Sequence, residues 1–267
     1  MPTRLLPTRP PAVVLAWATR ERARALVRNA LPRRRFRVTM VHSAAEFSAA
    51  ACAQLVDLAL IDTGSGDDGW PIADLAREFP SIGFVALSPG RAADAPAVER
   101  VVSLEFAEVI VEGVDDAAVE TMLEPLGFSA RFADALGDPP EPLGLAHPLQ
   151  REAWRHIVNH GGLPVRTEIL AALLGVTREH LSRSFSAAGA PNLKRVMDLV
   201  RLMAAAELAK NPGYDVGDVA RVLAFASSSH LSTTSQRIVG TRPASLARLR
   251  SVDLIERFVH GRSRSRS

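Results

Sequence analysis

Between residues 12 and 126 the chain alternates short apolar runs with longer amphipathic stretches. The runs at 13–17, 36–41, 58–61, 84–87 and 109–111 are rich in Val, Ile, Leu and Phe, and at this length they read as strands. The stretches 21–31, 44–53, 70–79, 96–102 and 115–123 repeat their apolar residues at helical spacing. Such alternation predicts βαβ units and an α/β doubly wound, parallel five-stranded sheet over residues 12–126. The segment GDPPEPLG then brings three prolines and two glycines within eight residues, which predicts a Pro-rich linker over 127–146 without helix or strand. Beyond it β signals almost vanish. The pattern is helical to about Val259, so residues 147–250 read as an all-α domain. A C-terminal helix and a disordered Arg-Ser tail are expected in 251–267, and a disordered basic arm in 1–11.

Two stretches of the helical half share one plan. In TEILAALLGVTREHLSRSFSAAG, Thr167 is placed to cap a short apolar helix, Gly175 to end it and Thr177 to cap a second. Leu181, Phe185 and Ala188 recur at i, i+4 and i+7 and face a core. That stripe turns Glu179, Ser182, Arg183 and Ser186 outward, with His180 at the flank and Arg178 at the start. A short helix, a glycine turn and a second helix with a polar outer face make a helix-turn-helix, whose second helix suits a major groove. The second stretch begins at Asp215. Its inner residues are Val216, Val219, Ala220 and Leu223, then Leu231 and Ile238. Ser229, Ser232, Thr233 and Gln236 face outward, with His230 and Arg237 beside them. Residues 192–210 form one helix between the units, about nineteen residues long, or roughly 28 Å. Successive major grooves on one face of DNA lie ~34 Å apart, so this rod suits two recognition helices in neighbouring grooves.

Charge sharpens this division. The formal net charge of +3 is a cancellation: residues 1–37 carry +9, residues 38–145 carry −15 and residues 146–267 carry +9. A basic helical half points towards nucleic acid. One cysteine, Cys52, excludes a disulfide framework and a Cys-rich zinc module. No apolar run spans a membrane, and the N-terminal arginines and prolines do not make a signal peptide, so a soluble cytoplasmic protein is expected.

The segments LAALLGVTREHLSRSF, RLMAAAELA, DVARVLAFASSSHLS and GTRPASL, within residues 147–250, resemble the DNA-binding domain of the AraC/XylS family of bacterial transcription regulators. The resemblance implies two helix-turn-helix units on double-stranded DNA at a promoter, with RNA polymerase as a further contact and no cofactor. Arg183 falls where that family places a base-reading arginine, with Glu179 and Ser182 in neighbouring contact positions. The second unit departs from the pattern. Thr233 stands at a frequent Arg position, Ser235 at the usual core Phe, Ala224 at the glycine before Phe225, and Leu246 at the aromatic after Pro243. A lost buried aromatic costs about 3–5 kcal/mol unless neighbours repack, so this unit is expected to be weaker and to act mainly through phosphates and DNA shape.

The N-terminal half, with VDLALID followed by TGSGDDGW and later FVALS, resembles the receiver domain of bacterial response regulators. The resemblance puts Asp62 at the phosphoacceptor position and Ser88 at the position that senses the phosphoryl group. It also implies two acids after the first strand for Mg²⁺ and a lysine after the fifth. Here Ala16-Trp17-Ala18-Thr19 and Val111-Glu112-Gly113 supply neither, and Asp67 or Asp68 could supply only part of the set. The domain therefore reads as degenerate, without ordinary phosphotransfer, and suited to signal sensing or to homodimerisation.

No catalytic set is visible. His156 and His160 are four apart on a helix without the glutamate of a zincin and read as a solvated edge. Gly64-Ser65-Gly66 lacks the spacing of a nucleophile elbow, and Cys52 reads as a small core residue. The sequence predicts a DNA-binding regulator that is not an enzyme and holds no metal. Two alternatives stay open: a protein-interaction regulator with weakened DNA binding, and a response regulator phosphorylated on Asp62.

Overall fold

The computed structural model describes residues 9–186 and 190–264, with the side chains of 186 and 262–264 left out. The chain forms two compact units. Of the described residues, one comprises 11–131 and 211–218, and the other 132–210 and 219–264, together with Arg9 and Pro10.

In the first unit the five expected strands form within a residue or two of their predicted bounds: β1 Ala12–Trp17, β2 Phe36–Met40, β3 Leu58–Asp62, β4 Gly83–Ser88 and β5 Glu108–Val111. All pair in parallel, in the order β2-β1-β3-β4-β5. Strands β3 and β4 are buried at every position, which is why their sequences are apolar without alternation. Side chains still sort by the two-residue period. Val14, Ala16, Leu58, Leu60, Val85 and Leu87 join Leu26 and Val27 of α1 (Glu21–Ala30) and Val119 and Leu123 of α5 (Val119–Leu123) in one core. Phe84, one residue out of phase, stacks instead on Phe47 of α2 (Ala44–Ala53), with ring centroids 5.5 Å apart. The sheet is thus covered on both faces, as expected of a doubly wound domain.

Of the remaining stretches, 70–79 and 115–123 form shorter α-helices than the sequence pattern suggested, while 96–102 forms as expected. The stretch 70–79 forms α3 (Trp70–Ala73) and then a 3₁₀ turn at Asp74–Arg77, and α4 is Ala95–Ser103. Residues 211–218 belong to this unit through internal bonds. Asn211 Oδ1 accepts from the Ser81 amide at 2.8 Å, and the Tyr214 ring meets Phe79 edge-on at 5.0 Å. Cys52 is only half-buried rather than a core residue.

The expected linker is corrected. Residues Phe128–Leu136 form helix α6, whose first turn is held by Asp57: the Ser129 amide donates to Asp57 Oδ1 at 2.8 Å. Even the Pro-rich stretch contains a 3₁₀ turn at Glu141–Leu143, with Leu143 and Leu145 buried. Apolar residues at 128, 130, 132, 133, 143 and 145 outweigh the prolines. In the basic arm, residues 1–8 lie outside the described residues, while Arg9 donates to Asn159 Oδ1 at 3.0 Å.

The other unit consists of helices joined by turns, with no strand among its described residues: α7 Pro148–Val158, α8 Thr167–Leu173, α9 Arg178–Ser186, α10 Leu193–Leu208, α11 Val216–Val222, which begins in the first unit, α12 Ser228–Val239 and α13 Ser251–Arg264. Helix α10, with 16 residues and a length of about 24 Å, is the axis. Its N-cap Asn192 accepts from the Arg195 amide, and α7, α9, α12 and α13 all pack on it. The C-terminal helix runs past the expected end at Val259, burying Leu254, Ile255 and Phe258, and the tail residues 265–267 lie outside the described residues.

Candidate functional site

The first helix-turn-helix is α8, a turn at Gly175 and α9. Gly175 adopts φ +66°, the left-handed conformation that a glycine takes without strain. Thr177 Oγ1 accepts from the His180 amide at 3.1 Å and caps α9 as expected. Thr167 does not cap α8. It is the first helical residue, and Arg166 precedes it without a side-chain cap bond. Leu181 and Phe185 are fully buried, while Ala188 lies outside the described residues. With those anchors inward, Glu179, Ser182 and Arg183 are exposed on the outer face, and Arg178 at the start of the helix and His180 at its flank are exposed as well. Ser186 ends the helix, and its side chain lies outside the described residues. Arg183 is exposed and donates from Nε to the Glu179 carbonyl of its own helix at 3.4 Å. Arg178 forms an exposed pair with Glu168 at 3.3 Å, which water and salt screen.

One support for α9 was missed in the sequence. Gln150 is buried on α7, accepts from the His147 amide at 3.0 Å and donates to the Ser184 carbonyl at 2.8 Å. It therefore ties the start of α7 to the last turn of α9.

The second helix-turn-helix is α11, a turn at Ala224 and α12. Val219, Ala220, Leu223, Leu231 and Ile238 are buried as expected, but Val216 is 38% exposed and does not belong to the inner stripe. Ser227 caps α12 by accepting from the His230 amide at 3.1 Å. Ser229, His230, Thr233, Gln236 and Arg237 are exposed, yet several are already bonded. Thr233 Oγ1 donates to the Ser229 carbonyl, His230 Nδ1 accepts from the Ala226 amide, and Arg237 donates to Asp198 of α10 at 2.7 Å. Arg237 thereby holds α12 against α10. Ala224 adopts φ +53°, a left-handed conformation in a residue with a Cβ, so the glycine departure read from the sequence carries backbone strain. Ser235 and Leu246, the other departures, are buried and accommodated. Ser235 Oγ donates to the Thr241 carbonyl at 2.7 Å, and α13 packs on α12.

The other chemistry-bearing cluster lies at the carboxyl edge of the sheet, where doubly wound folds place ligands. Asp62 ends β3 and is 0% exposed. Its Oδ1 accepts from Arg20 Nε at 2.8 Å, from Arg20 Nη2 and from the Gly64 amide. Its Oδ2 accepts from the Arg20 amide and from Ser65 Oγ at 2.7 Å. The same guanidinium reaches across to Glu112, which follows β5, donating from Nη1 at 3.1 Å and from Nη2. Burial by itself lowers the Arg20 pKa, but the bonds and charges of Glu112 and Asp62 outweigh it and the net direction is upward. Asp67 and Asp68 sit exposed in a 3₁₀ turn, Gly66–Gly69. Ser88, at the end of β4, is buried and accepts from the Gly90 amide. The role of Arg20 was missed in the sequence. The available signal was an arginine soon after the first strand and a glutamate directly after the fifth, opposite charges flanking Asp62.

His156 is buried rather than on a solvated edge, and burial lowers its pKa from 6.5. His160 Nδ1 bonds the His156 carbonyl. Among the described residues no group of side chains is arranged to hold a metal, and no helix is long and apolar enough to cross a membrane.

Residues 170–248 match a protein-family model described as a helix-turn-helix domain, and the C-terminal part of the chain is such a domain. Among curated proteins no sequence relative is found. Similar solved structures include a response regulator from Thermotoga maritima, with 18% identity over 42% of this chain and 98% of that one and a TM-score of 0.35. A response regulator from Burkholderia pseudomallei shows 23% identity over 64% and 97%, with a TM-score of 0.35. Full-length FixJ from B. japonicum shows 14% over 76% and 97%, with a TM-score of 0.37. The α/β assignment itself rests on the strand order and helix placement described above. The helix-turn-helix match supports DNA binding and a role in transcription regulation.

Proposed function

We propose that this chain is a sequence-specific DNA-binding transcription regulator in which α9 reads base edges in a major groove and α12 occupies the neighbouring groove. The DNA-binding domain is taken as residues 147–250. The observation that carries the reading is the exposed face of Glu179, Ser182 and Arg183 on a helix fixed from behind by buried Leu181 and Phe185. An exposed arginine on such a helix has the donors for guanine O6 and N7, and Arg178 suits a phosphate. The second helix offers less. Thr233 and His230 already satisfy backbone groups of their own helix and turn, and Arg237 is bound to Asp198. Ser229 and Gln236 are left as its main polar contacts, so α12 contributes chiefly to position and phosphate affinity.

The receiver-like unit serves signal sensing or homodimerisation without phosphotransfer, a reading supported by the five donors that already occupy Asp62. An RNA polymerase contact belongs to the same proposal. Titrating duplex DNA from 50 to 200 mM salt tests the core of it. Affinity for a selected site should fall steeply with salt and exceed affinity for random duplex. Salt-independent binding, or no preference for any sequence, would contradict it.

A further inference from the structure

We infer that the pocket at the carboxyl edge of the sheet is a guanidinium site occupied from within by Arg20, and that this occupancy closes Asp62 to phosphoryl donors and cations. The inference deepens the reading of the N-terminal unit as one without phosphotransfer, and adds to it a ligand chemistry.

Three observations converge. First, Arg20 uses both edges of its fork. Nε and Nη2 face Asp62, while Nη1 and Nη2 face Glu112, whose side chain is 1% exposed. Two buried carboxylates set on either side of one planar cation match a guanidinium far better than a point charge such as an ammonium. Second, Asp62 has no lone pair left for a nucleophilic attack. Three donors meet Oδ1 and two meet Oδ2. Third, the backbone leaves room for the Arg20 guanidinium. A Cβ at Gly64 would lie 2.8 Å from Arg20 Cζ and 2.5 Å from Pro89 Cγ, so a side chain there would crowd the cation against a proline ring.

Removing Arg20 leaves two buried carboxylates without their cation, a strongly destabilising change. The hole should then be refilled by the missing end of the side chain, supplied in solution. The test melts the full-length chain as wild type, Arg20→Ala and Arg20→Lys. Each is measured with millimolar ethylguanidinium, ethylammonium or Mg²⁺ at matched ionic strength. The expected result is a melting temperature lower by about 10 °C or more in Arg20→Ala. Ethylguanidinium should restore much of it, ethylammonium and Mg²⁺ should not, and the wild type should respond to none. Arg20→Lys, which keeps the charge and loses the fork, should melt well below the wild type.

Equal restoration by all three cations, no restoration of a folded Arg20→Ala, or a wild-type melting temperature in Arg20→Lys would overturn the guanidinium assignment. If Arg20→Ala does not fold, the Arg20→Lys melt decides. The reading without phosphotransfer fails separately, by a gain of one phosphoryl group in the intact mass of the wild type after incubation with a small phosphodonor and Mg²⁺.

Discussion

The two helix-turn-helix units follow one plan with different chemistry at matching positions. Where α9 buries Phe185, α12 buries Ser235, and where α9 exposes Arg183, α12 exposes Thr233. The turn of the first has Gly175 in the left-handed region, and the turn of the second has Ala224 there. The first unit thus keeps an apolar anchor, a relaxed turn and an outward guanidinium. The second replaces the anchor with a hydrogen bond to Thr241, accepts strain in its turn and pins its arginine to Asp198. What the second unit lacks inside is met from outside, since α13 packs on both α12 and α10. A scaffold can therefore hold a helix in place while the residues on its outer face and in its turn differ.

The largest test of that contrast is the anchor itself. Phe185→Ala should destabilise the helical unit by about 3–5 kcal/mol in urea melts. Ser235→Ala removes one buried hydrogen bond and should cost only about 1 kcal/mol. Equal losses would show that the two helices are held alike. Next comes reading. Arg183→Ala should weaken binding to a selected site by roughly 1–3 kcal/mol and relax preference at one base position, whereas Thr233→Ala should stay under about 0.5 kcal/mol.

Smaller again is the turn. Ala224→Gly relieves the left-handed strain and should raise stability by about 0.5–1 kcal/mol, the gain being reduced by the greater freedom of glycine in the unfolded chain. The smallest effect concerns α7, which supports α9 through Gln150. Burial holds the pKa of His156 below 6.5 in the fold, so the unfolded chain binds the proton more readily. The stabilisation is complete above pH 6.5 and is lost as pH falls from there towards the folded pKa. Urea melts across pH 7.5 to 5.5 should show this slope, and His156→Gln should flatten it.

Much of this architecture was legible in the sequence, and the exceptions have physical reasons. Strands β3 and β4 were visible because central parallel strands must be apolar on both faces, and α9 and α12 because their stripes keep helical spacing. The helix at residues 128–136 was hidden by the prolines that follow it, although Phe128 and Phe132 already marked a buried face. Val216 and Thr167 were misplaced by one role each, since the exposure of a first turn and the identity of a cap depend on the chain before it. Outward positions on α9 follow from periodicity alone, whereas the bonding of Arg237 to Asp198 joins residues 39 positions apart and leaves no local trace. The Arg20 cluster is of the same kind. Its three charged residues lie at or just after the carboxyl ends of β1, β3 and β5, and only the parallel strand order brings them together.

The central claim is that α9 carries the base reading and α12 mainly the grip. Selection of bound sequences from a random duplex pool, run in parallel with wild type, Arg183→Ala and Thr233→Ala, tests it most directly. The account predicts a defined site for the wild type, loss of preference at one position for Arg183→Ala, and an unchanged site for Thr233→Ala. An Arg183→Ala profile identical to that of the wild type, or a site lost through Thr233→Ala, would contradict it.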